Sequence, residues 1–166
     1  MIRALLATSL FALMLGAPPT LADGKIYVQL PDLSGYEGKN ADDFLYQVVL
    51  ANIVSSNCPG FEVTEEEWSL LTDSADILAH QNLKLTADEY EADYYKPAFA
   101  ALDDADTCAT QGPNVQPILD ELVNQGGSRE ALPDQDAAYE DWRAMQDGWA
   151  AAEAGSTAQA GKTKTK

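Results

Sequence analysis

The 166 residues carry 27 acidic side chains against 10 basic ones, so the formal net charge at pH 7 is −17. A surface this acidic repels phosphate backbones and anionic lipid head groups, which excludes nucleic acid as the expected partner. The length is enough for one domain with a single core and too short for two.

The first 22 residues have the pattern of a secretory signal. Arg3 precedes an apolar run over residues 4–17, and a small-residue site ends at Ala22. The run is shorter than the roughly 18 to 20 residues that a spanning helix needs, and Pro18-Pro19 interrupts it. We therefore expect a cleaved signal over residues 1–22, a periplasmic or secreted protein, and no integral membrane insertion after cleavage. A retained, uncleaved anchor is the alternative.

Residues 23–39 are predicted to form an extended arm. The arm holds one short apolar run, residues 25–30, which Pro31 ends. A single strand is not stable without a partner, so we expect the arm to lie across the helices. The alternative is a segment that docks on another protein. A helical domain is predicted over residues 40–154, and the small, polar residues 155–166 are predicted to be disordered.

Helical periodicity after residue 40 predicts about five helices and therefore an all-α fold, an irregular bundle around one core. The first helix is expected to be the most buried, because its apolar residues cover more than one face. The predicted helices cover residues 41–57, 65 to about 82, 87 to about 106, 114 or 116 up to the glycines at 126 and 127, and a stretch beyond Pro133 to about 154.

Two of these helix starts carry the same local signal. Thr64 stands three residues before Glu67, and Thr86 three residues before Glu89, and each pair is typical of a capping box. Pro97 lies inside the third predicted helix, where it removes one backbone hydrogen bond and pushes on the preceding turn. We expect a kink or a break in the residues directly before it.

Cys58 and Cys108 are the two cysteines of the chain. Exported proteins mature in oxidising compartments, so we predict one structural disulfide between them. Closing a loop of this length removes about 4 kcal/mol of unfolded-chain entropy. The two residues meet if the first and third helices lie side by side with their C-terminal ends together.

One helix face carries the only histidine together with two acids. Asp73, Asp76 and His80 are spaced to share a face of the second predicted helix. Histidine beside a carboxylate is typical of an acid–base pair or of part of a metal site. A single face supplies too few ligands for a closed zinc site. Ion pairing on the surface is the alternative explanation of this polar set.

Three aspartates form the strongest candidate for a cation site. Asp103, Asp104 and Asp106 are placed at the end of the third predicted helix, where the helix dipole disfavours negative charge. That conflict indicates another reason for their presence, and calcium is the cofactor they would bind. The segment departs from the EF-hand loop, because Cys108 and Ala109 fall where oxygen and glycine are wanted.

Aromatic residues recur at helical spacing in the last predicted helix, and such stripes belong to the core more often than to binding surfaces. If they are exposed as a patch, however, they predict a contact surface for another protein. The residues that we assign to such a surface are Tyr94, Tyr95, Trp142 and Trp149.

The motifs follow the order Cys58, helix, Leu85-Thr86-Ala87-Asp88-Glu89, aromatic helix and Cys108-Ala109-x-x-Gly112. This order, from residue 49 to about residue 122, resembles small exported two-cysteine helical proteins of bacterial families of unknown function. The resemblance implies a periplasmic setting and a helical fold, and it implies no activity. In size, helical content and one long-span disulfide, the chain also resembles the acid-stress periplasmic chaperones.

Our leading hypothesis is a non-enzymatic exported helical protein that acts as an accessory or interaction module and binds another exported protein. A periplasmic stress chaperone and a divalent-cation-binding protein are alternatives. The rival class is an enzyme that uses His80 with acidic residues. That hypothesis requires His80 to lie in a concave pocket with other polar groups.

Overall fold

The computed structural model describes the backbone of residues 25–163 and the side chains of residues 25–155. The predicted signal peptide lies outside the described residues. Within them the fold is all-α, as predicted, and one disulfide closes it. The α-helices are α1 Gly38–Asn57, α2 Glu65–Asp76, α3 Ala87–Tyr90, α4 Lys96–Ala100, α5 Thr107–Gln111, α6 Val115–Asn124 and α7 Gln135–Thr163.

Two of the predicted helices contain widened turns. α2 continues as a π-helix over Ile77–Asn82, the first π turn, and α3 continues as a π-helix over Glu91–Tyr95, the second π turn. The second lies directly before Pro97, which has no amide hydrogen to donate and whose ring crowds the preceding turn. Where we predicted a kink or a break, the structure has a wider turn followed directly by α4.

α1 is the centre of the core. Its buried residues lie on more than one face, and α2, α4 and α6 pack against it. The predicted disulfide is confirmed, since Cys58 at the end of α1 bonds to Cys108 in α5 with the two Cα atoms 5.4 Å apart. The sequence did not predict α5 as a separate helix, because it is a single short turn in a polar segment.

The arm lies across the helices, with Tyr27, Val28 and Leu33 buried. Val28 forms an isolated antiparallel bridge with Ala131 in the segment between α6 and α7. Beside it, the amide of Leu132 donates to the carbonyl of Tyr27 at 2.8 Å. The chain thus supplies the extended run with a short partner that the sequence pattern did not reveal.

α7 is longer than predicted. We expected a disordered tail from residue 155, but the helix continues to Thr163. Two alanines, one glutamine and one lysine favour a helix over residues 155–163, while two glycines, two threonines and one serine disfavour it, so local propensity does not explain the extension. Residues 164–166 lie outside the described residues. No helix in the described part of the chain combines the length and the apolar character needed to cross a membrane.

Candidate functional site

A recess opens between α7 and the first π turn, with a volume of about 270 Å³. Trp149 and His80 form part of its wall, and their ring centroids lie 5.4 Å apart. A neighbouring hollow of about 180 Å³ shares His80, Trp149 and Glu153 with it and adds Asp76. We call the first cavity the His80–Trp149 recess. Its lining residues are His80, Lys84, Leu85, Thr86, Trp149, Ala152 and Glu153.

The backbone around His80 departs from the regular α-helix in two ways. Residues Ile77–Asn82 are π-helical, and Lys84 has a φ of 58°, a left-handed conformation that is uncommon for a residue with a side chain. The amide of Leu85 then donates to the carbonyl of Ala79 at 2.9 Å and closes the turn. Widened turns and strained residues of this kind recur at functional sites. Here both position the residues that line the recess.

Asn82 holds the end of the first π turn against the arm. Its side-chain nitrogen donates to the carbonyl of Leu33 at 2.7 Å and to the carbonyl of Tyr36 at 2.9 Å. Both acceptors lie in the turn that precedes α1. The recess is therefore built on a helix end that is tied to the rest of the molecule on its far side.

The hydrogen bond of His80 determines which of its ring nitrogens carries the proton. Nδ1 lies 3.0 Å from the carbonyl oxygen of Leu85. A carbonyl oxygen only accepts, so in the neutral ring Nδ1 carries the hydrogen and Nε2 is the acceptor. No partner in the described part of the chain hydrogen-bonds to Nε2. His80 therefore offers the recess one acceptor while its other nitrogen is occupied.

Aromatic rings connect the recess to its surroundings. On one side, Trp149 contacts Trp142, with centroids 5.6 Å apart and the rings nearly perpendicular. On the other side, His80 contacts Tyr90 at 5.8 Å, and Tyr90 contacts Tyr94 at 6.4 Å. Edge-to-face and tilted pairs at these separations attract each other beyond simple burial. The two walls of the recess are thus continued on both sides by packed rings.

The predicted polar face of Asp73, Asp76 and His80 divides into two parts. Asp73 is buried and forms an ion pair with the ammonium of Lys25, which also lies 4.4 Å from the ring centre of Trp142. Asp76 instead lines the hollow beside His80. Burial raises the pKa of the Asp76 carboxyl, while His80 and Lys25 act in the opposite direction. The structure brings Asp76 and His80 together and assigns Asp73 to an internal ion pair.

The four residues predicted as a contact surface differ in exposure. Tyr94 and Trp142 are buried, with 8% and 6% of their surface exposed, and Trp149 is half-buried. Tyr95 is 46% exposed and stacks on Phe99, which the sequence analysis did not select, with centroids 6.3 Å apart. The four therefore do not form one exposed patch. Trp149 is the member that lines the recess.

The three aspartates predicted to bind calcium are exposed in the turn between α4 and α5. The amide of Asp106 donates to the carboxylate of Asp104 at 3.0 Å, and α5 begins at the next residue, Thr107. Asp104 and Asp106 thus precede a helix start, where negative charge is favoured, and the conflict that suggested a cation is removed for these two residues. Asp103 ends the 3-10 turn that follows α4. Among residues 25–163, no group of three or more His, Cys, Asp or Glu side chains is arranged to hold a metal ion.

His80 was predicted as part of a polar site and Trp149 as part of a contact surface. In the structure both residues line the same recess. Lys84, Leu85 and Glu153 were not selected at all. One sequence pattern near these residues was informative. The capping box at Thr86 marks the start of a new helix and therefore a loop directly before it. Nothing in the local pattern shows that α7 returns to cover that loop.

Comparisons with protein-family models, with curated proteins and with solved structures each found no match. The resemblance to exported two-cysteine helical proteins therefore stays an expectation. The geometry of the recess is the basis on which a function is proposed.

Proposed function

We propose that this chain is a non-enzymatic exported interaction module and that the His80–Trp149 recess is its binding site. The observation that supports this is the half-buried indole of Trp149 beside the His80 ring in an open recess. Binding pockets are typically concave and apolar or aromatic, with a few polar groups that orient the ligand. Leu85 and Ala152 add apolar surface to the two rings, and Lys84 and Glu153 add charge of both signs.

The partner that we expect is another exported protein. Tryptophan contributes strongly to binding when it lies in a desolvated pocket near the centre of an interface. The net charge of −17 adds an electrostatic preference for a partner with a basic surface around the contact. Both features favour an interface that is centred on Trp149 and surrounded by acidic groups.

The test is affinity capture of the tagged protein from its own cell envelope, compared with two tryptophan variants. Trp149→Ala removes the wall of the recess and is expected to reduce capture of the partner at least tenfold, since removal of a central tryptophan costs about 2 kcal/mol or more. Trp68→Ala is the matched control, because Trp68 is 40% exposed on α2 and does not line the recess.

Capture by the Trp68→Ala variant should equal that of the unaltered protein. Circular dichroism of both variants establishes that the helices are intact. Equal capture by the Trp149→Ala variant would contradict the proposed site.

One observation also favours the rival hypothesis of an enzyme that uses His80. His80 lies in a recess rather than in open solvent, and Asp76 lines the adjoining hollow. A histidine with one acceptor nitrogen directed to a substrate is suited to act as a general base. The discriminating measurement is hydrolysis of an activated ester, p-nitrophenyl acetate, relative to free imidazole. A rate well above imidazole that His80→Asn abolishes would favour the enzyme, and we expect no such excess.

A further inference from the structure

The size of the His80–Trp149 recess limits what it can hold. Its volume is about 270 Å³, slightly below the range of about 300 to 1,000 Å³ that is usual for pockets that take drug-sized ligands. A cavity of about 150 Å³ already holds benzene, so this recess accommodates one amino-acid side chain or a small ring system and is too small for most drug-sized ligands. The ligand is therefore small, or it is one group that projects from a larger partner.

The apolar part of the wall favours an aromatic ligand. Trp149 presents an indole, and Leu85 and Ala152 present aliphatic surface. Aromatic rings pair in offset or edge-to-face geometry and gain attraction beyond the burial of their area. The rings of Trp149 and His80 are tilted by 34° and both line the recess. An aromatic ligand would pack against them as a third ring.

The polar part of the wall specifies a hydrogen-bond donor. Nε2 of neutral His80 accepts, because Nδ1–H is directed to the carbonyl of Leu85. The Thr86 hydroxyl does not compete for the ligand, since it donates to Glu89 at 2.9 Å and accepts from the amide of Glu89. Among the neutral side chains of the recess, His80 is thus the one placed to recognise a hydroxyl.

The charged residues disfavour ligands with a full charge. Lys84 and Glu153 place opposite charges on the same small space, so for a ligand of either sign the attraction to one residue is opposed by the repulsion from the other. A neutral hydroxyl avoids both penalties. A phenolic hydroxyl is also a better donor than an alkyl one, and its oxygen still accepts from an ammonium.

We infer that the His80–Trp149 recess binds a phenolic ring, which packs on Trp149 and donates its hydroxyl hydrogen to Nε2 of His80. The ring belongs either to a free phenol or to a tyrosine side chain of a partner. This inference rests on the proposed function, because it names the chemical group that the same site would recognise.

The experiment is an NMR titration of the full exported chain with p-cresol, the tyrosine side chain as a free molecule. The signal followed is the indole N–H of Trp149, assigned by its disappearance in Trp149→Phe. We expect a saturable shift of this signal and no shift of the Trp68 indole. Toluene and 4-methylanisole have the same ring but no hydroxyl hydrogen. Each should bind about fivefold more weakly, because one neutral hydrogen bond is lost.

His80→Asn separates the two roles of the histidine. The asparagine amide keeps a donor for the carbonyl of Leu85, and its shorter side chain has no atom at the position of Nε2. The variant should bind p-cresol no better than toluene, with unchanged circular dichroism. Its affinity for toluene falls as well, because the imidazole ring leaves the wall of the recess, so the readout is the ratio of the two affinities. Three results would overturn the inference: no saturable shift with p-cresol, equal affinity for p-cresol and toluene, or an unchanged ratio of the two in His80→Asn.

N-acetyltyrosinamide distinguishes the two sources of the ring. Binding at least as tight as that of p-cresol supports a tyrosine side chain, and binding of p-cresol alone supports a free phenol. The outcome is also separable from that of the capture experiment. Loss of capture in Trp149→Ala without p-cresol binding would overturn the phenolic ligand and leave the interaction module. Binding of p-cresol together with unaltered capture by Trp149→Ala would overturn the recess as the site of the interaction module and leave the phenolic ligand.

Discussion

The disulfide-closed core and the face of α7 are held together by different forces. Around α1, aliphatic side chains of α2 and α6 are fully buried, and the bond between Cys58 and Cys108 constrains the chain. On α7, Trp142 is the one buried side chain among residues 135–155, and half-buried Met145 and Trp149 make further contacts with the core. Tight aliphatic packing leaves little empty space inside the core. A surface recess of about 280 Å³ opens between α1 and α6, but its lining has no aromatic ring. The His80–Trp149 recess opens at the aromatic face of α7.

The largest expected effect comes from breaking the first region. Replacing both cysteines, Cys58→Ser with Cys108→Ser, removes the cross-link and is expected to lower the free energy of unfolding by about 4 kcal/mol. The measurement is urea denaturation followed by circular dichroism. The unaltered protein under reducing conditions is the control, and it should unfold at the same midpoint as the double variant. An unchanged midpoint would show that aliphatic packing alone supports the core.

A smaller but still large effect is expected at the attachment of α7. Lys25→Met removes the ammonium from beside the carboxylate of Asp73, which is 1% exposed, and from the Trp142 ring. Removing one member of a buried ion pair costs about 3 kcal/mol. The measurement is the urea midpoint, followed by circular dichroism.

The matched control for this variant is Lys39→Met. Lys39 pairs with Asp43 on the surface, with 80% and 51% of their side chains exposed. An exposed pair of this kind contributes less than about 1 kcal/mol. Equal losses in Lys25→Met and Lys39→Met would mean that the internal ion pair does not secure α7.

The smallest expected effect concerns Asp76, which lines the hollow beside the His80–Trp149 recess. Burial raises the pKa of Asp76 above its usual 3.8, so the folded state binds more protons than the unfolded state. Stability therefore falls as the pH rises through the interval between 3.8 and the raised pKa. Asp76→Asn removes this penalty. We expect a higher urea midpoint than that of the unaltered protein at pH 7 and no such gain at pH 3.

Asp103→Asn serves as the control for the pH experiment, since Asp103 is exposed and its replacement should leave both midpoints unchanged. A lower midpoint for Asp76→Asn at pH 7 would indicate that attraction to His80 and Lys25 outweighs burial. In that case the groups around the hollow stabilise the fold, and the contrast with the core would disappear.

The sequence predicted features that depend on neighbouring residues. Both capping boxes are present, with the amides of Glu67 and Glu89 donating to the hydroxyls of Thr64 and Thr86 at 3.2 Å. The disulfide was predictable because two cysteines have one way to pair, and the signal-like first 22 residues led us to expect an oxidising compartment. The fold class was predictable because helical periodicity is a property of residues that are close in sequence.

Other features were not predictable because they depend on packing. A π turn pairs backbone groups five residues apart, whereas an α turn pairs groups four residues apart. At Ile77–Asn82 the π turn forms together with the hydrogen bonds that Asn82 makes with the arm. The position of Asp104 before a new helix required knowing that α5 forms, which the disulfide and the packing of Thr107 promote. The length of α7 also exceeded the prediction, although glycine, serine and threonine make up most of residues 155–163.

The sequence by itself determined where the two capped helices α2 and α3 begin, which cysteines pair and that the chain is acidic, because each of these depends on composition or on residues within one turn. Only the tertiary structure decided that Trp149 of α7 lies beside His80. The two are distant in sequence, and their contact results from the arm, from Lys25 beneath Trp142 and from the strained turn at Lys84 acting together. Such a contact depends on the packing of the whole chain, which no local pattern encodes.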